Sequence, residues 1–190
     1  MEGKSKLSER VDNALDMIST AMLAVFAFVC IFTFVLRNIT VVGESMEQTL
    51  SDGDKLVALR FMYTPKRGDI VVVNSENMKE VIIKRIIGVS GDRIEIDYKE
   101  NAVYVNGEKL SEPYVREPMT ERDSFAPTFR DEKTGRYIYT VPFDKYFILG
   151  DNRNHSTDGR IFGFVTRDEI LVRVVFRYSS PSGNPRGSIE

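Results

Sequence analysis

Val81-Ile82-Ile83-Lys84-Arg85-Ile86-Ile87 is an apolar run that holds two cations, and its reading decides the fold. Read as a strand, its side chains alternate between two faces. Lys84 then shares a face with Ile82 and Ile86, while Arg85 shares the other with Val81, Ile83 and Ile87. Working outward, similar stretches recur at close spacing. Lys55 to Phe61 alternates apolar and polar, as a half-buried strand does, and Ile70 to Val73 is apolar throughout. Ser51-Asp52-Gly53-Asp54, Pro65-Lys66-Arg67-Gly68-Asp69 and Ser90-Gly91-Asp92 are turns. Arg93–Asp97 and Ala102–Val105 are strands, and Asn106-Gly107 marks a type I′ hairpin. Tyr137–Val141, Tyr146–Leu149 and Ile170–Tyr178 complete a mainly β, antiparallel fold.

Before the strands lies a different element. From Met17 to Leu36 no residue is charged, a run of about 20 positions that suffices to cross a bilayer core as a helix. A cleaved secretory leader has a shorter apolar core ending at small residues. This run ends in Phe32-Thr33-Phe34-Val35-Leu36 with no Ala-x-Ala after it, so it reads as a retained transmembrane anchor. Lys4, Lys6 and Arg10 precede it, which puts the N-terminus in the cytoplasm and the rest outside. The expected organisation is a cytoplasmic segment over 1–13, an anchor over 14–36 and an extracytoplasmic catalytic β domain over 37–178. Within that domain, about 111–136 is a charged, proline-interrupted loop insertion, and 179–190 is a flexible tail rich in Ser, Pro and Gly.

The chain has 190 residues, enough for one ordinary domain plus the anchor, and its net charge of −2 gives no basic face for nucleic acid. A single cysteine, Cys30, lies in the apolar run, so no disulfide framework is possible. The single histidine, His155, excludes zinc motifs with paired histidines and weakens any histidine-based triad. The loop from Asp151 fails as a calcium site, with Arg153 at its third position and Phe162 at its twelfth. No metal or cofactor is implied.

The chemistry rests on three stretches: Val41 to Leu50 with Ser45, the strand with Lys84, and Gly150 to Arg160. A serine hydroxyl needs a nearby base to become a nucleophile. Lysine, with a reference pKa of about 10.4, is a base only when an apolar setting lowers that value, by up to roughly 3–5 units. Periodicity alone does not say whether Lys84 or Arg85 faces the site, and both could be structural ion pairs. Chemistry favours Lys84, because arginine cannot be deprotonated in a protein.

In wording and order these stretches resemble the bacterial type I signal peptidases. That family's boxes match Ser45-Met46-Glu47-Gln48-Thr49-Leu50, Arg67-Gly68-Asp69-Ile70-Val71, Lys84-Arg85-Ile86-Ile87-Gly88-Val89-Ser90-Gly91-Asp92 and Gly150 to Arg160. The resemblance runs from the anchor to about Tyr178. It implies an endopeptidase that removes signal peptides from exported preproteins at the outer membrane face, with Ser45 as nucleophile and Lys84 as general base. It further implies that Ser156 holds the lysine amine and that Asp158 and Arg160 pair to brace the loop. Gly43 and Met46 would lie beside the oxyanion and substrate. The cleavage segment would lie extended along a strand edge, with shallow pockets for small residues at the first and third positions before the cut. Its partners would be signal-peptide-bearing preproteins and the lipid bilayer.

Two positions depart from the pattern: Gln48 stands where the family has proline, and Gly159 where it has serine. Gly43 replaces a hydroxyl that some members use for the oxyanion, leaving mainly the Ser45 backbone N–H. Other readings stay open. A conjugation-type membrane peptidase would keep the chemistry with another substrate, and an inactive anchored β domain would only bind export partners. Self-cleaving repressor proteases share the chemistry, but they are soluble, and the anchor argues against them.

Overall fold

In a computed structural model, residues 6–60, 63–121 and 128–189 are described. The first element, helix α1 (Lys6–Phe34), contains the uncharged run, and its Ser8–Thr33 portion is long and apolar enough to cross a membrane. Its side chains are almost all exposed, as those of a helix that packs against lipid rather than protein would be. The helix ends two residues before the expected boundary, because Leu36 already belongs to the first strand. Lys4 and Phe61 lie outside the described residues.

The strands are β1 (Leu36–Thr40), β2 (Lys55–Leu59), β3 (Ile70–Ser75), β4 (Glu80–Gly88), β5 (Arg93–Asp97), β6 (Ala102–Val105), β7 (Glu108–Lys109), β8 (Phe129–Arg130), β9 (Tyr137–Thr140), β10 (Lys145–Leu149), β11 (Val165–Thr166), β12 (Ile170–Ser179) and β13 (Gly187–Ser188). A short helix α2 (Gly159–Phe162) lies between β10 and β11. One sheet runs β1-β2-β12-β3-β4-β10-β11 with β13 on β12, and the other runs β7-β6-β5-β9-β8. Every pairing is antiparallel, so the fold is mainly β behind one N-terminal helix.

The chain leaves the first sheet at the end of β4. Gly88, the last residue of β4, lets Ile94 pack closely against it, since a Cβ there would lie 2.7 Å from Ile94 Cδ1. The second sheet closes over a core of Ile87, Ile94, Ile96, Val103, Tyr139, Phe147 and Leu149. A separate core of Val41, Met46, Leu50, Leu56, Ile70 and Val172 lies beneath the Ser45 turn. At the hairpin tip Asn106 and Gly107 have φ of 54° and 86°, the left-handed pair that a type I′ turn needs.

Two expectations change. The expected tail, as far as Ile189, packs against the domain. Gly187 and Ser188 pair with Arg177 and Phe176, Arg177 Nε donates to Pro185 O, and Ile189 is buried in the core under the Ser45 turn. One terminal isoleucine anchors a stretch whose composition is otherwise that of a linker. In the expected insertion, Met119 is buried against the second core and β8 adds an edge strand, while residues 122–127 lie outside the described part.

Candidate active site

Ser45 lies on the tight turn between β1 and β2, where Glu47 N–H donates to Glu44 O and Leu50 N–H to Met46 O. Burial of Met46 and Leu50 fixes this turn to the core. Lys84 is the fifth residue of β4, and Val71 of β3 is its partner in register. From there its amine reaches 2.7 Å from Ser45 Oγ and donates to Ile83 O at 3.0 Å. The side chain is 3% exposed. Burial pulls its pKa from 10.5 down to about 8, although the carboxylates of Asp158 and Asp151 pull the other way. Above that pH the amine is neutral and the same contact lets Oγ–H donate to Nζ.

Arg85, the alternative cation, has a different role. It is 2% exposed, and its Nε and Nη2 grip the two oxygens of Asp151 at 2.9 Å each. Nη1 donates to Gly68 O, and the guanidinium stacks 4.0 Å from the Tyr114 ring centre. Asp151 also accepts from the Thr49 hydroxyl at 2.5 Å. The neighbouring Asn152 N–H donates to Ser45 O at 3.1 Å, and its side-chain amide donates to Glu44 O. Arg85 thus fixes Asp151, and the loop at Asp151 fixes the serine turn. Sequence reasoning tested Asp151 only as a calcium ligand and missed this role, as it missed Thr49 and Asn152. The signal was the Gly150-Asp151-Asn152 box itself, two polar residues just after a buried strand.

Asp158 and Arg160 form the expected pair, fully buried and bidentate at 2.9 Å on both oxygens. Asp158 also accepts from Gly150 N–H and caps α2 through Arg160 N–H. Burial pushes its carboxyl up, but Arg160 and these donors, with the Ser156 hydroxyl, outweigh it and hold the pKa below the ordinary value. Ser156 is 1% exposed and helps to hold the Asp158 carboxyl down, and the charge of Asp158 bears on Lys84. Gly150 sits tightly between these parts: a Cβ there would lie 2.2 Å from Ser156 Oγ and 2.5 Å from Ser45 O.

Gly43 lines the groove beside Ser45 with φ of 90°, and its N–H is committed to Asp52 at 2.8 Å. By contrast the Ser45 N–H has no acceptor among the described residues. Met46 was expected beside the substrate, but its side chain is a core residue, 1% exposed, and does not line the groove. Gln48 has φ of 96°, a backbone that proline cannot adopt, so the missing family proline accompanies a different local turn.

The groove holds about 550 Å³ between Thr40, Val42, Gly43 and Ser45 on one side and Val81 to Lys84 on the other. Strand β10 pairs with β4 only from Arg85 onward. On that side the edge from Glu80 to Lys84 has no strand partner among the described residues. Val42 and Val81 stand exposed at the rim.

A serine beside a buried amine, on a β scaffold with an open strand edge, is the apparatus of a serine peptidase. The family model described as "Signal peptidase, peptidase S26" matches residues 14–179. Signal peptidase IB of Staphylococcus aureus is 35% identical over 170 residues, covering 85% of this chain and 87% of that protein. A probable signal peptidase I-2 of Synechocystis is 35% identical over 184 residues, covering 92% and 78%. The solved signal peptidase I from Enterococcus faecalis is 32% identical, covers 58% of this chain and 97% of that one, and superposes with a TM-score of 0.45. The chain belongs to the signal peptidase family, peptidase S26.

Proposed function

We propose that the chain is a membrane-anchored endopeptidase that cleaves signal peptides from exported preproteins with a Ser45/Lys84 dyad. The observation that carries this is the 2.7 Å contact between Lys84 Nζ and Ser45 Oγ, with the lysine buried and its pKa near 8. Neutral Nζ takes the Oγ proton as Oγ attacks the scissile carbonyl, giving a tetrahedral adduct and then an acyl-enzyme. The lysine returns that proton to the leaving amine and next takes one from the water that releases the signal peptide. The Ser45 N–H, which has no acceptor among the described residues, donates to the developing oxyanion. Asp158, Arg160 and Ser156 keep the lysine pocket in shape, and Arg85 with Asp151 holds the serine turn.

The substrate lies extended in the groove and adds a strand along Glu80–Lys84. Small residues before the cut fit the shallow space between Val42, Val81 and Ile83. Helix α1 spans the membrane with the N-terminus inside, so the site faces the extracytoplasmic surface, where exported chains emerge. Purified chain in detergent, incubated with a preprotein bearing Ala-x-Ala before its mature end, should release the mature protein at that bond. Ser45→Ala should reduce this by about a thousandfold or more. An intact preprotein after exposure to the wild-type chain, or equal cleavage by Ser45→Ala, would refute the assignment.

A further inference from the structure

A second cavity of about 550 Å³ lies on the first sheet, on the side where α1 meets β1. Arg37, Arg60 and Arg167 line it, with Ile39 and Leu171 as apolar wall and Asp168 as its one carboxylate. Arg37 follows the end of α1 by three residues. The Arg60 N–H donates to Val35 O at 3.1 Å, which sets Arg60 beside the last turn of the same helix. Both arginines are exposed, and neither is paired with a carboxylate among the described residues. Arg167 is fixed in place, donating to Ile170 O and Tyr63 O. Leu171 is 43% exposed although it belongs to a strand.

We infer that this cleft binds the phosphate of an anionic phospholipid from the outer leaflet, with the start of an acyl chain along Ile39 and Leu171. Three guanidinium groups against one carboxylate leave a net positive lining, and guanidinium geometry suits phosphate oxygens. The depth is set by the helix: if α1 spans the bilayer, residues a turn beyond its apolar stretch lie at headgroup level. The choice of a lipid over free phosphate rests on that position and on the apolar wall, which a free ion would leave exposed. Bound there, the lipid would fix the rotation of the β domain over the membrane.

The inference rests on the reading of α1 as an anchor, so the test begins with carbonate extraction of membranes that contain the full chain. Release into the supernatant would overturn both readings. For a chain that stays in the pellet, nanodiscs of phosphatidylcholine with a minority of phosphatidylglycerol are prepared, and the lipid retained on detergent exchange is counted by native mass spectrometry. The wild-type chain should keep phosphatidylglycerol in preference to phosphatidylcholine. Arg37→Gln with Arg60→Gln should lower that retention about thirtyfold, in line with the attraction of two basic side chains to an anionic surface. A chain with Lys99→Gln and Lys133→Gln, which removes the same charge at a distant loop, should retain it as wild type does. Equal loss in this control, no preference in wild type, or displacement by millimolar inorganic phosphate would overturn the lipid site while leaving the anchor reading intact.

Discussion

Replacing Lys84 by methionine separates the price of the buried amine from its use. The pKa falls from 10.5 to about 8 because burial disfavours the charged form. Since each pKa unit corresponds to about 1.4 kcal/mol, the folded state bears a penalty of about 3 kcal/mol while the lysine is protonated in both states. The sign follows from proton counting. Between pH 8 and 10.5 the unfolded chain binds more protons at this site than the folded one, so wild-type stability rises with pH across that window. Methionine has similar length, no charge and no titration, but it forfeits the bonds to Ser45 Oγ and Ile83 O, at about 1 kcal/mol each. The Lys84→Met chain should therefore be more stable than wild type at pH 7 by about 1–2 kcal/mol, roughly 3–6 °C in midpoint for a chain of this size. The order should reverse near pH 10, while cleavage is absent throughout. Thermal unfolding in detergent at pH 7, 8.5 and 10, followed by circular dichroism, measures the difference. Parallel midpoints across that range, or a Lys84→Met chain less stable at pH 7, would refute the argument that burial sets the pKa of this lysine.

Three further outcomes follow from the site and the anchor. Ser156→Ala should keep the fold, lower turnover by about tenfold to a thousandfold, and move the midpoint of the pH–rate profile from its wild-type value near 8, because Asp158 loses a donor close to Lys84; unchanged turnover and midpoint would remove Ser156 from the site. Gly43→Ser has open space for its Cβ but a φ of 90°, so it should cost about 1–2 kcal/mol in thermal unfolding while keeping cleavage within tenfold; a folded variant with turnover lower by orders of magnitude would show that substrate needs the glycine. Protease added outside cells with a permeable wall should reach the chain beyond Leu36 and spare an epitope placed before α1; protection of the β domain would reverse the orientation.

What could be read in the sequence was what is encoded locally. Arg93–Asp97 and Ala102–Val105 coincide with β5 and β6 because alternation and an Asn-Gly turn are short-range signals. The choice of Lys84 over Arg85 came from chemistry, since both cations are buried and strand periodicity treats them alike. The role of Arg85 depends on Asp151, which lies 66 residues away and is invisible to any window. Ile189 is a single apolar residue among Ser, Gly and Pro, and only its distant neighbours Met46 and Leu50 reveal that it is buried. The positive φ of Gln48 likewise belongs to the tertiary setting of its turn, not to the residue.

The bonds that hold the serine turn reach far along the chain: Thr49 to Asp151 spans 102 residues, and Asn152 to Glu44 spans 108. In a chain made N-terminus first, Ser45 and Lys84 exist before the segment that fixes them has been synthesised. The serine turn can reach its final geometry only once the segment from Asp151 is in place, late in folding. The contact between Ser45 and Lys84 thus takes its final form in the same late closure by which β10, β11 and β12 complete the first sheet.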